Sequence, residues 1–323
     1  MVQGPVSLLA WLGTFAEPLG WLVVALFVAG ALLYEYDREY ARPVVVAAWL
    51  AFGLFWLSMV HYFAIEQRSI IEGVGSLIAV PLSAYVGLVL WRGRDSLFVL
   101  SRAVALMGVV YLPFSTVPVL RRTAIEVVTA QTEFLITRIG FQPEVVDGLT
   151  VQSPSGETYR IADKVHPYES TFLFYQGDVP ITYTIVTACT GLGSMAIFVG
   201  LIGAVSAPLN RKLRALAVSI PVIYALNLVR NVFIAVTFGE QMTHVFPDLV
   251  MGLFSLESPY LVSYIVSDRI VAQSLSVVAL VVITWLVVRE LPEVLVVIED
   301  AIYLVTGREY DLAEAMGVPE PAS

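Results

Sequence analysis

Long apolar runs separated by short polar connections dominate this chain. A helix that crosses a bilayer needs about 20 mostly apolar residues. Seven runs approach that length, at 19–34, 44–62, 73–91, 97–120, 183–206, 213–238 and 270–288. Run length assigns them as helices, and periodicity adds little to that signal. Pro113 and Pro118 predict kinks in the fourth run. Trp21, Tyr34, Tyr36, Tyr62 and Trp91 lie near run ends, as an interfacial aromatic belt requires.

The one sizeable connection is 121–182. Ile125, Val128, Leu135 and Ile139 recur at helical spacing and predict an interfacial helix or a continuation of the fourth run. Residues 148–161 read as a β-hairpin turning on Ser153-Pro154-Ser155-Gly156, and 171–175 as a further strand. The loop 239–267 is apolar for a loop, with Phe246, Leu249, Val250, Leu253 and Phe254, and is expected to lie in the interface or re-enter. A spanning reading of it would interrupt the run with Glu257 and Pro259, so the seventh helix is expected to begin near Ile270. Residues 293–306 suit an amphipathic helix, and the chain from 309 on is expected to fray.

The expected fold is therefore an all-α polytopic membrane protein of about seven transmembrane helices with a small extracytoplasmic α+β insertion. Its parts are helices 1–4 in 1–120, the insertion in 121–182, helices 5–7 with the site in 183–290, and a cytoplasmic amphipathic helix and tail in 291–323.

Composition agrees. The 323 residues are 58% hydrophobic and 14% charged, against roughly 45–50% and 25% in soluble domains. Among the basic residues only Lys164 and Lys212 are lysines, and the net charge is −9. A single cysteine excludes an internal disulfide or a multi-cysteine metal centre, and no cofactor is expected. The first 15 residues lack the basic start and small-residue cleavage site of a classical signal peptide.

Short-loop charge sets the orientation. Arg38 and Arg42, then Arg92, Arg94 and Arg102, then Arg211, Lys212 and Arg214, then Arg289 and Arg308 all fall on one side of a seven-helix arrangement. The alternate connections are poor, with only Arg68 in 62–72. This predicts an outside N-terminus, a cytoplasmic C-terminus and an external 121–182 segment. That segment carries five basic residues, which long loops tolerate in translocation.

Chemistry concentrates around Cys189, set among the small residues Ala188, Gly191, Gly193 and Ser194. Arg230 lies inside the sixth run, flanked by Asn227 and Asn231, and Arg269 begins the seventh beside Asp268. At 1.5 Å per residue all three fall within roughly 12 Å of the same outer interface. A lone cysteine in a helix is usually a small hydrophobe, and Arg269 alone suits snorkelling or a pair with Asp268. An intramembrane arginine such as Arg230 is a functional-site candidate. Gln273 and Ser276 extend a polar stripe from Arg269 toward the interior. Nearby arginine lowers a thiol pKa, and a second guanidinium suits a developing oxyanion. Arginine stays charged and cannot be the general base. Of His61, His166 and His244, the last is the first candidate for that role, although none stands at a distinctive spacing from Cys189.

Ala188-Cys189-Thr190-Gly191, then Asn227-Leu228-Val229-Arg230-Asn231, then Arg269 resembles the exosortase/archaeosortase family of membrane cysteine transpeptidases. The likeness runs from about the second helix to the seventh, and no motif of the family matches in 121–182. Arginine rather than histidine in the third place points to the archaeal branch. The resemblance implies a nucleophile at Cys189, with Arg230 and Arg269 activating the sulfur and holding the oxyanion. It implies substrates that are surface proteins with a Pro-Gly-Phe motif, a spanning helix and a basic cluster at the C-terminus. An amine-bearing phospholipid is the implied acceptor, and no nucleic acid is involved. A membrane cysteine protease releasing a free carboxylate, and an anion transporter or channel lined by arginines, are the competing readings.

Overall fold

Prolines, glycines and one aspartate decide where the apolar runs stop. The computed structural model describes residues 5–66, 70–162, 164–256 and 258–317. Arg68, Glu257 and the tail beyond 317 lie outside the described residues. The first helices are α1 (Pro5–Gly13), α2 (Ala16–Tyr36) and α3 (Arg38–His61), the last extended by a π-helical turn, Tyr62–Glu66. Asp37 separates α2 from α3 with extended backbone, and its side chain accepts from the Glu39 N–H at 2.7 Å. Then come α4 (Ile70–Trp91) and α5 (Leu97–Thr116). The kink expected at Pro118 is a full break. Val117 adopts extended backbone (φ −79°, ψ 114°), as a residue before proline prefers, and α6 (Pro118–Arg138) starts with proline in its first turn.

Five strands follow: β1 (Glu144–Val146), β2 (Thr150–Gln152), β3 (Thr158–Arg160), β4 (Thr171–Gln176) and β5 (Val179–Thr184). After a 3₁₀ turn at Thr187–Thr190 the chain is helical in α7 (Leu192–Ala204), α8 (Leu209–Gly239), α9 (Pro247–Phe254) and α10 (Leu261–Tyr264). A π-helical stretch, Ile265–Ala272, joins α10 to α11 (Gln273–Glu290). A short 3₁₀ turn at Pro292–Val294, α12 (Leu295–Thr306) and α13 (Leu312–Met316) complete the described chain, with α13 where fraying was expected.

Among the described residues, six helices are long and apolar enough to cross a membrane: Ala16–Tyr36, Arg38–Ile65, Glu72–Trp91, Leu97–Thr116, Leu209–Gly239 and Leu261–Glu290. The protein is a multi-pass membrane protein. Two runs differ from expectation. Residues 183–206 are not one helix: their start completes β5, and α7 has 13 residues, roughly 20 Å against a hydrocarbon core of about 30 Å. The last spanning helix begins at Leu261 rather than near Ile270, so the end of the 239–267 loop belongs to it.

The described chain forms two compact units. One comprises the residues up to Leu112, Ala196–Leu216 and the stretch from Val287 on. Its core joins Phe27, Val45, Ala48, Trp49, Leu90 and Phe98. Small residues let helices approach closely. A Cβ on Gly30 would lie 2.4 Å from Val45 Cγ2, and one on Gly200 would lie 2.5 Å from the Ala103 carbonyl. Ion pairs tie its polar loops together: Arg42–Asp95 at 2.7 Å, Arg94–Asp300 at 2.8 Å and Arg211–Glu293 at 2.7 Å.

The second unit, Pro113–Met195 with Ala217–Leu286, holds the strands. β4 lies between β1 and β5 in an antiparallel sheet, with Phe172 opposite Tyr183 and Phe174 opposite Ile181. β2 and β3 form the expected hairpin, turning at Gly156 with φ +91°. One core packs Ile125, Val128 and Ile136 of α6 against Phe172, Phe174, Ile181 and Tyr183 of the sheet and Ile234, Ala235 and Phe238 of α8. The buried stripe of α6 is Ile125, Val128, Thr129, Thr132 and Ile136, so its far end is one residue out of phase with the expected Leu135 and Ile139. Ile139 is exposed.

Candidate active site

The Cys189 turn is built by neighbours on both sides. β5 delivers Ile185, whose N–H donates to the Ser170 carbonyl at 2.7 Å and holds the chain on the sheet. The 3₁₀ turn then closes with the Cys189 N–H on the Val186 carbonyl at 2.8 Å. Thr190, buried, donates its hydroxyl to the Thr187 carbonyl at 2.6 Å. Gly191 has φ +75°, and a Cβ there would stand 3.1 Å from Asn227 Cγ and 3.2 Å from Asn227 Cβ. Both the left-handed backbone and the close approach call for glycine. Cys189 therefore lies in a turn before the short helix α7 rather than inside a spanning helix.

On α8, Asn227, Arg230 and Asn231 share one helix face at i, i+3 and i+4. The side-chain amides of Asn227 and Asn231 both donate to the Cys189 carbonyl, at 2.7 and 2.8 Å. Asn231 is fully buried, and its Oδ1 accepts from the Tyr183 hydroxyl at 3.1 Å. The nucleophile candidate is thus clamped through its backbone, which leaves the thiol free of the clamp.

Arg230 Nη2 donates to Asp268 Oδ1 at 2.5 Å, and Arg269 Nε lies 3.6 Å from Asp268 Oδ2. Asp268 is buried and joins the two arginines, and the Tyr264 hydroxyl also bonds to it. The π-helical stretch carries both Asp268 and Arg269, so Arg269 is not at the first turn of a spanning helix. π-turns inside helices frequently mark functional sites.

The groups acting on the thiol oppose each other. Burial pushes the Cys189 thiol up from its ordinary value; the Val186 backbone beside the sulfur and the charge of Arg230 pull it down, and Asp268 raises it. Tyr183 is itself held well above its ordinary value, chiefly by burial, and stays a phenol. Arg230 reaches the sulfur as one half of an ion pair, so its pull is partly cancelled.

The remaining candidates sit elsewhere. His244 is exposed in the chain between α8 and α9. Gln273 is exposed, while Ser276 closes on its own helix by donating to the Ala272 carbonyl at 2.7 Å, so the polar stripe expected beyond Arg269 does not extend inward. Among the described residues no group of three or more His, Cys, Asp or Glu could hold a metal ion. Tyr183, Tyr264 and the bridging role of Asp268 escaped the sequence reading. For Tyr183 the available signal was the alternation of Ile181, Tyr183 and Ile185, all buried, in a stretch taken as helix.

The transmembrane exosortase family matches the chain over residues 14–261, a span that holds Cys189, Asn227, Arg230 and Asn231. Archaeosortase A of Haloferax volcanii is 48% identical over 316 residues, which cover 95% of this chain and 99% of that one. Archaeosortase A of Natronomonas pharaonis is 40% identical over 295 residues, or 90% and 89% of the two chains. No solved structure matches.

Proposed function

Because the chain belongs to the transmembrane exosortase family, we propose that it is a membrane cysteine transpeptidase that cleaves the C-terminal sorting tail of surface proteins and joins the new end to a phospholipid. The observation that carries this reading is the clamp on Cys189, in which two amides fix the backbone of a solitary thiol, together with the Arg230–Asp268–Arg269 group built on a buried Asp268.

In the first half-reaction the Cys189 sulfur attacks the scissile carbonyl, the thiol proton passes to the leaving amine, and a thioester forms. Arg230 spends Nη2 on Asp268, which leaves the rest of its guanidinium fork for the tetrahedral oxyanion. Arg269, 43% exposed, is the cation on the open side of the group. In the second half-reaction the amine of a phospholipid headgroup displaces the sulfur. The substrates are proteins with a Pro-Gly-Phe motif, a spanning helix and a basic cluster. With α7 and the turn before it making a seventh, shorter crossing beside the six long helices, the site faces the extracytoplasmic side, the N-terminus lies outside and the C-terminus is cytoplasmic.

Product analysis separates this from proteolysis. Incubation of the full-length protein with a tailed substrate in phospholipid vesicles is expected to give a cut product whose new C-terminus has gained the mass of a lipid. A free carboxylate as the only product would favour a membrane cysteine protease. Activity that survives Cys189→Ala but not Arg230→Ala would favour an anion pathway.

A further inference from the structure

Arg121 is the anomaly in the second unit. Arg42, Arg94, Arg102, Arg211 and Arg230 each face a carboxylate. Arg121 instead donates through Nη1 to His166 Nε2 at 2.8 Å and through Nη2 to the Thr116 carbonyl at 3.1 Å, and its Nε is buried without a partner. Arginine only donates, so His166 Nε2 accepts. A partly buried guanidinium is thus left with no carboxylate partner among the described residues, which is costly unless an anion arrives.

The surroundings describe that anion. The His166 ring stacks on Tyr168 at 5.0 Å, and the Arg122 guanidinium lies over Tyr168 at 5.9 Å while sharing Glu126 at 2.9 Å. Arg122, 60% exposed and paired with Glu126, joins the same cluster through the Tyr168 ring. Val119 and Leu120, on the same turn of α6, are exposed apolar side chains. Two arginines beside bare apolar surface, at the point where a spanning helix ends, fit a phosphate with hydrocarbon attached. The cluster is also joined to the nucleophile. The Glu169 N–H bonds Glu126 at 3.3 Å, the Ser170 carbonyl takes the Ile185 N–H four residues before Cys189, and α6 lies against the Thr187–Thr190 turn.

We propose that Arg121, Arg122 and His166 seat the headgroup phosphate of the acceptor phospholipid, next to the thioester; this rests on the transpeptidase reading. Anchored there, the lipid's amine nitrogen attacks the thioester carbonyl. The C–N bond forms and the C–S bond breaks. Cys189 leaves as thiolate and takes up the proton that the amine sheds.

The test separates the two half-reactions in the full-length protein. Wild type and Arg121→Gln are loaded with a tailed substrate in lipid-free detergent, and the Cys189 adduct is followed by mass spectrometry. Vesicles of an amine-headgroup phospholipid are then added. Arg121→Gln should load at the wild-type rate and transfer roughly tenfold more slowly or worse, the loss of one charge-assisted hydrogen bond. Arg121→Lys should recover much of the rate. Inorganic phosphate should slow transfer in wild type and have less effect in Arg121→Gln, and a phosphate-free alkylamine should resolve both alike. If Arg121→Gln fails to load, Arg122→Gln carries the same comparison. An adduct that the variant resolves at the wild-type rate overturns the phosphate seat alone, whereas no adduct in wild type overturns the transpeptidase reading and the seat with it.

Discussion

Cys189 is gripped at its carbonyl, not at its sulfur, and that distinction governs its reactivity. Asn227 and Asn231 orient the turn, while burial and Asp268 hold the thiol protonated against Arg230. The account therefore departs from a thiolate held ionised by two free guanidinium groups. Because Asp268 raises the thiol pKa, Asp268→Asn should move the pH profile of iodoacetamide labelling to lower pH. Because Arg230 lowers it, Arg230→Gln should move the profile to higher pH. As Cys189 is the only cysteine, one labelling rate per pH reads the effect. Shifts of the same sign in both variants would contradict the opposition. The spacing of Asn227, Arg230 and Asn231 was legible because a helix converts i, i+3 and i+4 into one face. The Arg230–Asp268 pair was not, since 38 residues separate the partners and Asp268 stands beside another arginine.

Among elements, the π-helical Ile265–Ala272 stretch is the most consequential departure from expectation. Nothing in its composition distinguishes it from an ordinary helical turn, and the apolar run alone placed the helix start near Ile270. Deleting Val271 should return the stretch to α-helical register and turn Asp268 and Arg269 by about 100° relative to α11. Helical content should persist by circular dichroism while the proposed transpeptidation falls by about a hundredfold, the scale of losing an oxyanion contact. Unchanged activity would show that the π-turn does not position the pair. β5 was hidden for a related reason. Its strand character depends on pairing with β4, and Tyr183 and Thr184 scan as the start of an apolar run unless that partner is known.

For the whole molecule, the loop charges read as cytoplasmic now have partners. Arg42, Arg94 and Arg211, from three separate connections, each meet a carboxylate, two of them on the C-terminal stretch. Arg230 follows Arg211 by 19 residues on the same helix, roughly 28 Å along its axis. In a Cys189→Ala background, Ser155→Cys at the hairpin tip should react with a membrane-impermeant maleimide in intact cells. Arg308→Cys should react only after permeabilisation, and the reverse pattern would invert the topology. The most direct test of the account is mass spectrometry of Cys189 after incubation with a tailed substrate in the absence of acceptor lipid. The account predicts a hydroxylamine-labile adduct carrying the mass of the truncated substrate on the Cys189 peptide. A substrate that is cut while Cys189 stays unmodified throughout would contradict it.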